Sequence, residues 1–321
     1  MSDGQASTAF SRADAKRAFG AYVSQFDLDD ERIALKVEHT YRVADACDAI
    51  ARGEGLEPRD VDLAWLCGLL HDIGRFEQLR HWDTFNDARS CAHAALGRYI
   101  LEGPVEGCRG KRLWRVDDAT VIDLYPGGDL ASFTHDAEWA PVIVRAVGLH
   151  SDLSLPDDLT PRERLFCAIV RDADKIDILR VFSQSSCHAV LGIESREFAT
   201  GTISDVAMRG FAERRCLARN ERPESLDGLV GAICLVFELE HATARNVLRS
   251  LGYVGELLRR PFGLAPDFSN EQTRARWNTI CRQMDAYNPR RARHQSEAGP
   301  RGARPQISAC PLSEVAGLIL T

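Results

Sequence analysis

Apolar residues recur three and four positions apart along most of the chain, and stretches that alternate apolar with polar are nearly absent. That spacing predicts an all-α protein. Six helices organise the first part. The first two cover 12–26 and 31–52, and the second stops at "RGEGLEP", where two glycines and a proline end the pattern. The third, "RDVDLAWLCGLLHD", is apolar nearly all round its middle, as a helix at the centre of a core must be. The fourth runs over 87–101 and the fifth over 139–150. The sixth opens on "TPRE", where Thr160 caps, Pro161 takes the first helical position and Glu163 completes a capping box; its pattern continues to Phe182.

Between the fourth and fifth helices, 103–134 is rich in glycine and charge and holds "ATVIDLY" as its only strand-like run, which predicts an inserted loop or small hairpin. Helical patterns return at 204–214, 226–251 and 270–287. The expected organisation is a flexible stretch over 1–11, one helical domain over 12–287 with accessory helices from 183, and a disordered tail over 288–321. The tail carries "NPRRARHQSEAGPRGARPQ", polar and basic, before "LSEVAGLILT", which forms a short docked helix or nothing. No internal repeat is present.

Composition adds limits to this picture. A chain of 321 residues that is 45% hydrophobic can build a real core, and a formal net charge of -7 argues against strong nucleic-acid or anionic-membrane binding. No signal-peptide core opens the chain and no apolar window is long enough to span a bilayer, so the expected location is the cytoplasm. The ten cysteines are scattered singly with no C-x-x-C pair, and they read as small buried hydrophobes in a reducing compartment.

Against that background, certain polar residues stand on faces that should be core. Side chains three and four apart share one stripe of a helix. His39 lies in the row Leu35, Val43, Ala46, Ile50; His93 precedes Leu96, Gly97 and Ile100; His150 follows Ile143, Ala146 and Val147; Asp174 lies among Cys167, Val170, Ile178 and Val181. With His71 and Asp72 at the end of the apolar "LLHDIGRF" helix, five helices contribute six metal-capable side chains. A lone histidine on such a face is usually a hydrogen-bonded core residue. A buried, unpaired carboxylate is costly, however, and six such residues converging on one core are better explained by metal. Neutral imidazoles and carboxylates without thiolate suit Mn, Fe, Co, Ni or Zn. Adjacent helical residues point about 100° apart, so His71 and Asp72 can engage two ions from one side with Asp72 between them.

The order His39, His71-Asp72, Asp174, together with "KVEHTYRV", "LLHDIGRFEQ", "TFNDARSCAHAALG", "AIVRDADKIDIL" and "FELEHATARNVL", resembles the HD superfamily of metal-dependent phosphohydrolases, with similarity from about 14 to 287. The resemblance implies a helical bundle around a central metal site. It implies His39, His71, Asp72 and Asp174 as ligands of a primary divalent ion, and His93 and His150 as matches to members that hold a second. Mn or Fe are the foremost candidates, with Ni, Co, Zn or Mg compatible.

The implied activity is hydrolysis of a phosphate mono- or diester, nucleotide-like or another small phosphorylated substrate, by a metal-activated hydroxide. Asp72 would hold the ions, and Arg75 and Lys175, each tied in sequence to a ligand, would bind the phosphate charge. Two alternatives stand beside it: a mixed-valent di-iron oxygenase acting on a phosphonate or polyol, and a non-catalytic nucleotide-sensing domain. No nucleotide-reading glycine motif is present, and the oligomeric state, a homo-oligomer included, is open.

Overall fold

The structure, a computed structural model, describes residues 10–103 and 112–287, and it is all-α apart from one two-stranded hairpin. The described helices are α1 (Arg12–Val23), α2 (Glu31–Gly53), α3 (Pro58–Leu70), α4 (Gly74–Trp82), α5 (His93–Glu102), α6 (Ala140–Leu149), α7 (Pro161–Gln184), α8 (Cys187–Leu191), α9 (Ser195–Thr200), α10 (Asp205–Ala212), α11 (Asp227–Cys234), α12 (Ala242–Leu251), α13 (Tyr253–Arg259) and α14 (Glu271–Tyr287). Tertiary contacts divide the chain into two compact units. Of the described residues, one unit holds those up to Ala44 with those between Leu56 and Val170, and the other holds Asp45–Gly55 with those from Arg171 to Tyr287. Both α2 and α7 are therefore divided along their length. The expected disordered tail and the first nine residues lie outside the described residues.

In the first unit α3 is buried on all sides from Leu63 to Leu70, as its apolar run requires. Phe76 of α4 anchors an aromatic cluster, with ring centroids 5.9 Å from Phe19, 6.3 Å from Tyr22 and 5.6 Å from Phe26. The helices α4 and α5 cross glycine to glycine. A Cβ on Gly74 would collide with the His93 carbonyl oxygen and stand 2.7 Å from the Gly97 amide nitrogen. The sequence does not anticipate α4 as a separate helix, because the "HDIG" bend follows α3 with no proline to announce it. The expected 87–101 helix is likewise shorter: a 3-10 turn covers Asp87–Arg89, and α5 starts only at His93.

The 103–134 insertion contains the expected hairpin, an antiparallel pair of β1 (Arg112–Arg115) and β2 (Val121–Leu124). Fully buried Glu77 of α4 fastens it. Its Oε1 accepts from the Tyr125 amide at 2.5 Å, while Arg80 Nη2 and His81 Nε2 reach the Asp123 carbonyl at 2.5 and 2.8 Å. The Thr160–Glu163 capping box forms as expected, with Glu163 Oε2 2.9 Å from the Thr160 amide and Thr160 Oγ1 3.2 Å from the Glu163 amide.

In the second unit an aromatic cluster joins Phe198 to Phe262 and Phe268, and Phe268 to Trp277, at 5.8, 5.2 and 5.8 Å. The single helix expected over 226–251 is broken. Buried Asp172 accepts from the amides of Glu240 at 3.0 Å and His241 at 2.8 Å, which ends the 3-10 turn Leu235–Glu238 and starts α12 afresh. The eight described cysteines are free thiols, and no described helix is long and apolar enough to cross a membrane.

Because the Gly74 contact is with backbone, Gly74→Ala is expected to destabilise the protein by about 2 kcal/mol. Gly20→Ala, whose added Cβ meets nothing within 4 Å in mid-helix, should stabilise it by about 0.5–1 kcal/mol. Chemical denaturation of the two variants checks this, and a Gly74→Ala protein as stable as the parent would contradict the close crossing.

Candidate metal centre

The apolar run of α3 carries the chain inward, and the helix ends with His71 as its C-cap, still helical at φ -55° and ψ -39°. Ile73 donates to the Leu70 carbonyl and Arg75 to that of Asp72, so the chain keeps turning through the His71-Asp72 pair before α4 opens on Gly74. His39 projects from α2, His93 is the first residue of α5, and His150 is the C-cap of α6. All five side chains belong to the first unit, and none of these residues is more than 5% exposed.

The two oxygens of Asp72 face opposite ways. Oδ2 lies 3.6 Å from Nε2 of both His39 and His71, and Oδ1 lies 3.5 Å from His93 Nε2 and 3.4 Å from His150 Nε2. Within each pair the Nε2 atoms approach closely, at 3.3 Å for His71 with His39 and 3.0 Å for His93 with His150. His71 Nδ1 stands 2.7 Å from the Gly68 carbonyl and His150 Nδ1 2.8 Å from that of Val147. His93 Nδ1 stands 2.8 Å from the Asp87 carboxylate. These partners only accept, so each Nδ1 carries the proton, and the Nε2 of a neutral ring is a bare lone pair.

In the His93–His150 pair, lone pairs that face each other at hydrogen-bond distance repel unless a cation lies against them. Asp72 Oδ1 is buried and has no hydrogen-bond partner among the described residues. His39, His71 and Asp72 form one cluster able to hold a metal ion, and Asp72, His93 and His150 form another. The donor set is neutral nitrogen with one shared carboxylate, which fits a divalent ion such as Mn, Fe, Co, Ni or Zn.

Electrostatics agree with that chemistry. Burial alone would raise the Asp72 carboxyl, but Lys36 and His71, with further help from His150 and Arg75, hold it well below the usual carboxylate range. Burial, reinforced by the Arg75 charge, lowers His93 to about 3 despite its hydrogen bond to Asp87, so its ring is neutral at pH 7. Asp87 is itself held below its ordinary value, because hydrogen bonding from His93 and the charge of Arg75 outweigh its burial.

Asp174, the remaining expected ligand, is half-buried on the part of α7 that belongs to the second unit. Lys175 is buried in the same unit with Nζ 3.2 Å from the Glu238 carbonyl and 3.7 Å from its carboxylate, so its ammonium is already engaged. The expected phosphate-binding role of Lys175 therefore concerns a side chain that already contacts Glu238. Arg75 is engaged in part. Its Nη1 donates to Gln78 Oε1, the Phe85 carbonyl and Asp87 Oδ1 at 2.8, 2.7 and 3.0 Å, and its Nε lies 3.4 Å from Asp72 Oδ1.

Three neighbours escaped the sequence reading. Lys36 Nζ lies 2.7 Å from Asp72 Oδ2, Asp87 orients His93, and buried Gln78 donates to Asp87 and to the Cys91 carbonyl. Lys36 stands three residues before His39 on the same helix face, which was a usable signal. Nothing local links Asp87 or Gln78 to the site. The second "HD" dipeptide, His135-Asp136, lies outside the cluster, with His135 exposed and Asp136 paired to Arg59.

The family model described as HD domain matches residues 37–103, a segment that contains His39, His71, Asp72 and His93. No curated protein and no solved structure matches the chain. HD domains bind divalent metals and belong to a superfamily of hydrolase type. The match lies over residues 37–103, and the buried His/Asp cluster fits an HD-type metal site.

Proposed function

We propose that the protein is a metal-dependent phosphohydrolase that cleaves a small phosphorylated substrate at a dinuclear site. The observation that carries this reading is Asp72, whose two oxygens each face a separate pair of imidazole Nε2 atoms, the arrangement of a carboxylate shared by two ions. In this reading His39 and His71 hold one ion with Oδ2, and His93 and His150 hold the other with Oδ1. Asp174 is proposed as a further ligand. It follows Val170, the last residue of the first unit, by one turn of the uninterrupted helix α7.

When bound, divalent ions supply a nucleophilic water near neutral pH and stabilise charge on the phosphoryl oxygens. The chain's own part is to present neutral ligands in fixed orientations. The Gly68 and Val147 carbonyls and the Asp87 carboxylate do this by fixing three rings through Nδ1. Arg75 positions Asp72 and Asp87 with Nε and Nη1. No hydrogen bond engages its Nη2 among the described residues, and that nitrogen is proposed to meet a substrate oxygen.

Purified protein supplied with Mn or Fe is expected to release phosphate from a panel of phosphomonoesters and phosphodiesters, and His71→Ala or Asp72→Ala to lose both metal and turnover. Phosphate release and elemental analysis read the two effects. Full metal loading with no turnover across the panel would contradict the hydrolase reading. Oxygen uptake with iron and a phosphonate or polyol would then favour the oxygenase reading instead.

Asp87→Asn tests the outer support of the site separately. It is expected to weaken metal binding by about 10- to 100-fold with the fold intact. Competition against a chelator measures this, and an unchanged affinity would remove Asp87 from the account.

A further inference from the structure

We propose that Lys36 is the substrate-binding residue for a tetrahedral phosphoryl oxyanion, and that its ammonium passes from Asp72 to that anion when the metal site is filled. The inference rests on the metal-site reading above, and it adds a substrate-binding residue that the reading does not contain.

Three observations lead to it. First, Lys36 and Arg75 bracket Asp72 from opposite oxygens, with Lys36 Nζ 2.7 Å from Oδ2 and Arg75 Nε 3.4 Å from Oδ1. Both cations lie against the half-buried ring of Phe85, at 5.5 and 5.7 Å from its centroid. Their side chains keep 17% and 15% exposure, whereas that of Asp72 keeps 3%. They are thus more open to solvent than the carboxylate they flank.

Second, the local charges balance without metal: Lys36 and Arg75 offset Asp72 and Asp87. Divalent ions added between the histidines leave positive charge that Asp72, Asp87 and, in the reading above, Asp174 do not fully offset in a buried setting, which is unfavourable until an anion enters. A phosphoryl group, with up to two negative charges and several acceptor oxygens, is the ligand class that meets this need.

Third, the two cations differ in what holds them. Arg75 has Asp87 as a second anionic partner and a backbone carbonyl besides. The single polar partner of Lys36 among the described residues is the Asp72 oxygen that faces His39 and His71. Once that oxygen serves as a ligand, its capacity to accept from an ammonium falls, and the flexible four-carbon stem of Lys36 can carry Nζ to a substrate oxygen beside Phe85.

The test is calorimetric titration of inorganic phosphate into the metal-loaded full chain, compared with Lys36→Met and Lys36→Arg, with metal content measured on each sample. The expected result is a loss of phosphate affinity of about tenfold or more in Lys36→Met. Lys36→Arg should recover a substantial part of it, and metal content should be no lower than in the parent. The same loss should appear mainly in KM for any ester the protein turns over.

Phosphate affinity in Lys36→Met within twofold of the parent would overturn the proposal. So would absence of phosphate binding by the metal-loaded parent, or loss of metal in both variants, which would make Lys36 a support for Asp72 alone. Loss of phosphate binding in Lys36→Met by a protein that hydrolyses no ester would sustain the Lys36 assignment while removing the hydrolase reading.

Discussion

Asp72 turns one carboxylate oxygen toward His39 and His71 and the other toward His93 and His150, in a buried setting. Three of the four imidazoles round this buried anion donate through Nδ1 and turn Nε2 inward, and a cation against those nitrogens would complete the arrangement. Much of the first unit follows from that demand. The helix α3 is apolar on all sides from Leu63 to Leu70, the part that reaches the centre. Gly74 lacks a side chain because α5 has to come close enough to bring His93 to Oδ1. Lys36 and Arg75 stand at the two oxygens because the carboxylate needs counter-charge in the absence of metal.

The support around the ligands is as specific as the ligands. The Nδ1 atoms of His71 and His150 are fixed by the carbonyls of residues three positions earlier on their own helices, so local helix geometry sets the ring orientation. His93 has no preceding turn to do this, because it opens α5, and Asp87 from the preceding 3-10 turn takes the role. Glu77 ties the hairpin to α4, the helix that leaves directly from the "HDIG" bend. The insertion is therefore held by the element that follows the ligand pair.

The sequence was most informative where helical spacing does the placing. His39, His93 and His150 were legible because each interrupts an otherwise apolar stripe, and in the structure they lie with His71 and Asp72 in clusters able to hold a metal ion. Legibility failed where a contact between distant residues overrides spacing. Lys36 looks like an ordinary solvated helix charge until Asp72, 36 residues away, accepts from it. The apolar pattern over 226–251 runs on past Glu238, yet Asp172 captures the amides at 240 and 241 and breaks the helix there. Short α8 and α9 depend on local capping, by Ser186 and by Glu194 with Glu197, and not on periodicity.

The central claim is that Asp72 is shared by two ions. It is tested most directly by the metal stoichiometry of the full chain after reconstitution and desalting, measured by elemental analysis. The account predicts two ions per chain, reduced to one by His93→Ala with His150→Ala. A stoichiometry of one in the parent, unchanged in that double variant, would contradict it.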